Sequence, residues 1–265
     1  MRRFSADYLR RTRRGLWSSR EALDALDLPG RERILDVGCG TGELTRVLAE
    51  ESGGEVVGLD ADPALLRVAR EETDCPVVAG DAGRLPFVTG AFDLVACQAL
   101  LVNLPDPTAT LREFRRVAAD GVAAVEPDNA DVSVESTVDR EVDLERRVRE
   151  AYLEGVGTDV ALGDRVREAF EAAGLVDVRT RRHYHRKVIE PPYDEADLRD
   201  ATRKATGAGL ADHETELRRA VGDEYDDLRT AWREMGREVV AAMQEGTYRR
   251  AEVVPFDVTV GRVPG

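Results

Sequence analysis

Lysine is almost missing from this chain of 265 residues: Lys187 and Lys204 stand alone among 38 basic residues, and the rest are arginines. Acid is not scarce, and 52 Asp and Glu leave a net charge of −14 with a pI near 4.8. That balance works against nonspecific attraction to nucleic acid or to an anionic membrane surface. It resembles the halophilic composition of cytoplasmic proteins from salt-loving organisms, in which concentrated salt screens the self-repulsion of a charged surface. GC-rich coding also exchanges lysine for arginine, but it does not by itself add acid. Cysteine is equally sparse. Cys39, Cys75 and Cys97 are odd in number, lack metal-ligand spacing and fall in or beside apolar runs, so they read as small core residues in a reducing compartment. No apolar run approaches the ~20 residues needed to span a bilayer. The arginine-rich N-terminus has no continuous apolar segment of the signal-peptide kind. Repeats and low-complexity segments are absent too. These absences predict a soluble, cytoplasmic protein without a metal site, built as one α/β domain with additions or two small domains.

Against them, one stretch carries most of the information. Ile34-Leu35-Asp36-Val37-Gly38-Cys39-Gly40-Thr41-Gly42-Glu43-Leu44 joins an apolar run, a carboxylate, three alternating glycines and the start of a helical pattern. The run predicts a buried strand, and the glycines predict a turn tight enough for a ligand to lie against the backbone. The helix beginning at Leu44 turns its N-terminal amides toward that ligand. A dinucleotide loop needs Gly-x-Gly-x-x-Gly. Glu43 stands where its third glycine belongs, which argues against a nicotinamide cofactor. Three further strands follow. Glu55 to Asp60 and Pro76 to Asp81 both end in a carboxylate, and Phe92 to Gln98 is the fourth; Asp62-Pro63 caps and opens the helix after the second.

Here the sequence resembles the class I S-adenosylmethionine-dependent methyltransferases, whose first motif is an acidic residue followed by Gly-x-Gly-x-Gly. The resemblance covers about residues 31–188 plus the last strand. Its detail, Gly80-Asp81-Ala82 through Leu85-Pro86-Phe87 and then Asn103-Leu104-Pro105-Asp106, looks like the broad group that includes the quinone-biosynthesis methyltransferases. It implies a Rossmann-like, seven-stranded, mostly parallel sheet with helices on both faces, an antiparallel last strand and helical lid elements. The implied cofactor is S-adenosylmethionine, held by Asp36, Gly38, Cys39, Gly40, Gly42, Asp60, Ala61, Asp81, Ala82 and Gln98. Within that set Asp60 takes the ribose hydroxyls and Asp81 the exocyclic amine of adenine.

Elsewhere the pattern alternates between strand and helix periods, which calls for a parallel sheet with right-handed crossovers. Residues 1–30 form an N-terminal helical arm, with Ser18 and Glu21 as a capping box for its second helix. Residues 31–190 form the core, 191–248 a helical insertion that acts as a lid, and 249–265 the final strand. Within them, Asp106-Pro107 starts a helix, Val122 to Glu126 is the fifth strand, and Asp139 to Glu154 and Asp164 to Ala173 are helices. Val176 to Val188 is a long strand. Pro255 cannot donate to a ladder and belongs at the start of the last strand or at a bulge.

Methyl transfer from a sulfonium is an in-line displacement without covalent help from protein, so no catalytic base is named outright. His213, Glu126 and Asn103 are the candidates. His183 and His185, two apart on a strand, read as a solvated face. Glu190-Pro191-Pro192-Tyr193 resembles a motif of enzymes that methylate exocyclic amines in nucleic acids, but it follows the sixth strand instead of the fourth and reads as a turn. Ala96-Cys97-Gln98 lacks the proline of the cytosine-C5 enzymes. The arginine cluster Arg2, Arg3, Arg10, Arg11, Arg13 and Arg14 reads as a solvated helix face, with Arg11 or Arg14 as an option for meeting the cofactor carboxylate beside Tyr8 or Trp17. The expected activity is methyl transfer to a small-molecule acceptor, with no nucleic-acid or membrane partner and at most a second copy of the chain in a homodimer. The alternatives are a noncatalytic S-adenosylmethionine-binding protein and an RNA methyltransferase using the arginine arm.

Overall fold

A computed structural model describes residues 4–163 and 165–265; Arg2, Arg3 and Asp164, named above, lie outside the described residues. The strands are β1 Arg33–Val37, β2 Glu55–Asp60, β3 Val77–Ala79, β4 Phe92–Gln98, β5 Ala118–Pro127, β6 Ser133–Ser136, β7 Val176–Ile189 and β8 Arg250–Arg262. The helices are α1 Ala6–Arg13, α2 Glu43–Ser52, α3 Pro63–Glu72, α4 Pro107–Val117, α5 Asp139–Gly155, α6 Arg165–Ala172, α7 Glu195–Thr206, α8 Ala208–Ala211, α9 Glu214–Val221 and α10 Tyr225–Gln244. The strand order is β3-β2-β1-β4-β5-β8-β6, and β7 pairs with β8. β1 to β5 run parallel, and β8 is antiparallel to β5.

The α/β class is as expected, and the sheet has eight strands where seven were expected. The extra strand is β6, whose Ser133 to Ser136 pair antiparallel with Val253 to Arg250. Pro255 lies between the stretch of β8 that pairs with β6 and the stretch from Phe256 onward that pairs with β5, where no ladder bond is required of it. The second N-terminal helix is a short 3-10 segment over Glu21–Leu26. In place of the predicted capping box, the Glu21 amide donates weakly to the Ser19 hydroxyl at 3.4 Å.

Two compact units divide the chain. The sheet unit contains the described residues up to Asp128, Leu162–His183 and Phe256–Gly265. Its core packs the apolar runs of β1, β4 and β5 against α4 and α6 through Leu35, Val95, Val122, Leu111, Phe114 and Phe170, all shielded from solvent. These runs are continuous instead of alternating, because a parallel strand is buried on both faces.

The helical unit contains Asn129–Ala161 and Tyr184–Pro255. Its boundary differs from the sequence reading, which placed residues 129–161 with the core and took 191–248 as an insertion. The reason is packing: Leu144 and Ala151 of α5 share an apolar core with Leu217 of α9 and with Tyr225, Leu228, Trp232 and Met235 of α10. Gly155 and Gly236 have no room for a side chain, since the backbones of Glu216 and Ala205 stand there, so the helices approach closely at both points. Gly207 ends α7 in a left-handed conformation with φ of 75°, and Gly222 closes α9.

Candidate active site

The carboxyl ends of β1, β2, β3, β4 and β5 lie side by side, the edge at which ligands bind in open α/β sheets. β1 delivers Asp36 and then turns through Gly38, Gly40 and Gly42, whose φ values of 73°, 57° and 82° are left-handed. An L side chain would be strained at each of them. The loop is tied to the end of β2: the amides of Gly38 and Cys39 both donate to Leu59 O, at 2.7 and 3.0 Å, and the Gly40 amide donates to Asp60 Oδ2 at 2.9 Å. Asp60 Oδ1 accepts from the Asp62 amide at 2.8 Å. Asp60 is therefore a scaffold for the loop as well as a half-exposed carboxylate.

Asp36 is buried, and its Oδ2 accepts from the Thr45 hydroxyl at 2.7 Å on the first turn of α2. Its Oδ1 has no hydrogen-bond partner among the described residues. Burial pushes the carboxyl up to about 6, against the opposing effects of the Thr45 hydrogen bond and the Arg13 charge. At the end of β4, buried Gln98 accepts from Trp17 Nε1 at 3.2 Å through Oε1, while its Nε2 is unpartnered. Buried polar atoms normally find partners. An orphan acceptor and an orphan donor beside one glycine loop are what a polar ligand would satisfy.

Helix α1 lies against this loop. A Cβ built on Gly40 would stand 3.0 Å from Leu9 Cδ1 and 3.5 Å from Arg13 Nη1. Leu9 and Arg13, four residues apart, share that face and are buried. Sequence reasoning offered Arg11 or Arg14 here. The structure brings Arg13 instead; Arg14 is exposed, and the Arg11 guanidinium lies 5.5 Å from the centre of the Tyr8 ring. The missed signal was the i, i+4 relation of Arg13 to an apolar residue.

The other predicted residues fall in several places. Asp81 is exposed at the end of β3 and accepts from the Gly83 amide at 2.7 Å, with Ala82 buried and Ala61 exposed near the other strand ends. Cys39 is buried and packs on Gly58, and its carbonyl accepts from the Gly42 amide at 2.9 Å. Cys97 is buried, with its thiol pushed well above the ordinary range by burial and then by Glu126, which leaves it no nucleophile. Glu126 is buried and accepts three backbone amides, and Asn103 Nδ2 donates to Ala99 O at 2.7 Å. Both hold a loop together. His213 belongs to the helical unit, where its ring lies edge-on to Tyr152 at 5.0 Å. His183 and His185 are half-buried on β7. Among the described residues no group of three His, Cys, Asp or Glu could hold a metal ion, and no helix is long and apolar enough to cross a membrane.

Comparison with known proteins falls on the same stretch of the chain. Residues 35–125 match the family model described as a methyltransferase domain. The demethylmenaquinone methyltransferase of Lactiplantibacillus plantarum is 36% identical over 40% of this chain and 48% of its own. The 2-phytyl-1,4-naphtoquinone methyltransferase of Thermosynechococcus vestitus is 40% identical over 39% of this chain and 49% of its own. The chain thus spans about half the length of the curated relatives it matches. Among solved structures, a candidate methyltransferase of Bacillus halodurans superposes with a TM-score of 0.54 at 19% identity, over 92% of this chain and 98% of that one, a likeness of fold. Residues 35–125 are thus similar to a methyltransferase domain, and the curated relatives they match are named as quinone methyltransferases.

Proposed function

We propose that the sheet unit binds S-adenosylmethionine against the glycine loop and that the protein transfers its methyl group to a small-molecule acceptor. The observation that carries this reading is the orphan pair, Asp36 Oδ1 and Gln98 Nε2, beside the buried Arg13 charge. An amino-acid zwitterion answers that arrangement: its ammonium would meet Asp36 and its carboxylate Arg13. Asp60 would take the ribose hydroxyls and Asp81 the adenine amine, between Ala61 and Ala82, while the backbones of Gly38, Cys39, Gly40 and Gly42 leave room for the ligand. Gln98 keeps an amide donor for the bound molecules. When bound, the cofactor supplies an electrophilic methyl group on a sulfonium. The chain's own residues bind, orient and exclude water, which is most of what such a displacement needs.

The charge of −14 and the relatives' names support a small, quinone-like acceptor over RNA. Residues 191–248 are the part we propose to select it. Three free cysteines, Cys39 and Cys97 among them buried, fit a reducing cytoplasm. Calorimetry with S-adenosylhomocysteine and with NAD tests the binding step. We expect the first to bind and the second not to, and Asp60→Ala to weaken binding by about 1.5–3 kcal/mol. NAD binding without S-adenosylhomocysteine binding overturns the reading. Turnover of labelled S-adenosylmethionine against a metabolite extract tests the transfer; binding without any turnover would identify a noncatalytic cofactor-binding protein.

A further inference from the structure

We infer that Glu126 is a positioning residue that locks the Ala99–Asn103 loop onto the cofactor's glycine loop, coupling the two ends of the site. The inference rests on the cofactor reading above for its functional meaning, and on geometry alone for the coupling. Glu126 closes β5 and is 1% exposed. Its Oε1 accepts from the amides of Leu100 and Leu101, both at 3.0 Å, and its Oε2 accepts from Val102 at 3.2 Å. Three successive amides of the loop after the neighbouring strand β4 thus converge on one carboxylate. They hold a segment that begins at Ala99 in a left-handed conformation, φ 49°, which an alanine adopts only when its surroundings enforce it.

The consequence reaches the glycine loop. A Cβ built on Gly38 would lie 2.9 Å from Leu100 Cδ1, so the Leu100 side chain rests directly on the Gly38 backbone. The Gly38 and Cys39 amides reach Leu59 O from that position. Releasing Leu100 to Val102 from Glu126 unseats Leu100 and, with it, the first turn of the loop.

The groups around Glu126 set how it responds to protons. Cys97 on β4 presents its Sγ at 3.7 Å. Across the ladder, Asp257 on β8 is held by Arg182, which also binds Asp128 two residues beyond Glu126. Arg182 is thus committed to two other carboxylates. Burial pushes the Glu126 carboxyl up to about 7, against the pull of the three amides and the Cys97 hydrogen bond. Opening the loop lets water reach that carboxyl and returns it toward the usual carboxylate range, so a proton favours the closed arrangement.

Amide hydrogen exchange on the full chain without ligand, between pH 5 and 8 and corrected for intrinsic rates, tests the coupling. In the wild-type protein, exchange at Leu100–Val102 and at Gly38 and Cys39 should fall together, by about ten-fold, as pH falls through about 7. In Glu126→Gln the pH response at Leu100–Val102 should be lost, and what remains of it at Gly38 and Cys39 should follow Asp36, which titrates near about 6 in both proteins. The Kd of the variant for S-adenosylhomocysteine should rise by about ten-fold. Two results overturn the inference: a pH response at residues 100–102 with none at 38–39, or none at either. The wild-type series needs no variant to fold. If the wild-type protein fails to bind S-adenosylhomocysteine, the cofactor reading falls while the exchange series still decides the coupling.

Discussion

The sheet unit and the helical unit both bury carboxylates, and they do so in opposite ways. In the sheet unit, Asp36 and Glu126 are held by neutral donors, a hydroxyl for one and amides for the other, and burial raises both. In the helical unit, Glu141 and Glu145 of α5 meet Lys204 of α7 and Arg250 of β8: Lys204 Nζ lies 2.8 Å from Glu145 and also binds Glu141, and Arg250 lies 2.6 Å from Glu145. The Tyr248 hydroxyl donates to both oxygens of Glu141, and the Ser136 hydroxyl adds another bond to it. Desolvation raises Glu145, but its two cations outweigh it and hold the carboxyl near 2. One of the chain's two lysines is spent here. The contrast separates two uses of buried charge: carboxylates met by cations in a network that specifies packing, and carboxylates held by neutral donors, of which Asp36 leaves an oxygen for a ligand.

The largest effect should come from removing a cation from the helical unit's network. Lys204→Met leaves Glu141 and Glu145 short of a cation in a buried site, and should cost about 3–5 kcal/mol in denaturant unfolding of the helical unit. A loss below about 1 kcal/mol would show that solvent already reaches the pair and that the contrast is one of degree. Replacing Glu145 with Leu and Arg250 with Met together should be milder than either change alone, because no uncompensated charge remains.

Acid sharpens the comparison next, because the two units should respond with opposite sign. Asp36 and Glu126 have folded-state values above the usual 3.8 and 4.5, so their contribution is fully present below about pH 4 and is lost as pH rises through about 6 and about 7. Glu145 lies below its usual 4.5, so its contribution is present above that value and is lost as pH falls toward 2. Between pH 8 and 5 the sheet unit should therefore gain stability, by at most roughly 2–3 kcal/mol per group, while the helical unit stays level. Exchange of core amides in each unit, measured at both pH values, reads this directly. A sheet unit indifferent to pH would mean that water reaches Asp36 and Glu126.

Smaller again is the effect of Arg13. Arg13→Ala should weaken S-adenosylhomocysteine binding by about 1.5 kcal/mol, the scale of one charge-assisted hydrogen bond, whereas exposed Arg14→Ala should leave it unchanged. Equal effects of the two would return the arm to a general electrostatic role. The smallest expected change is global: melting temperature should rise by a few degrees between dilute and molar KCl, since the Debye length falls to ~3 Å and the repulsion within a chain of net charge −14 is screened. A flat or falling response would assign the arginine-for-lysine exchange to coding bias.

Much of the sheet unit was written locally. The glycine spacing, the apolar runs of β1, β2 and β4 and the Asp62-Pro63 and Asp106-Pro107 helix starts each act within a few residues, and each element formed where the pattern lay. The sequence by itself therefore determined the glycine loop, the carboxylates at the strand ends and the α/β class. Tertiary structure alone decided the rest. It chose Arg13 over its neighbours, because a helix pattern reveals a face but not what the face meets. It bound Glu126 to amides 24 to 26 residues away. It drew α5 to the helical unit and paired Ser133–Ser136 with a strand more than 100 residues later, because a short polar stretch gains strand geometry only from its partner. Local chemistry writes turns and strand ends; which buried charge finds a partner depends on contacts that no local pattern contains.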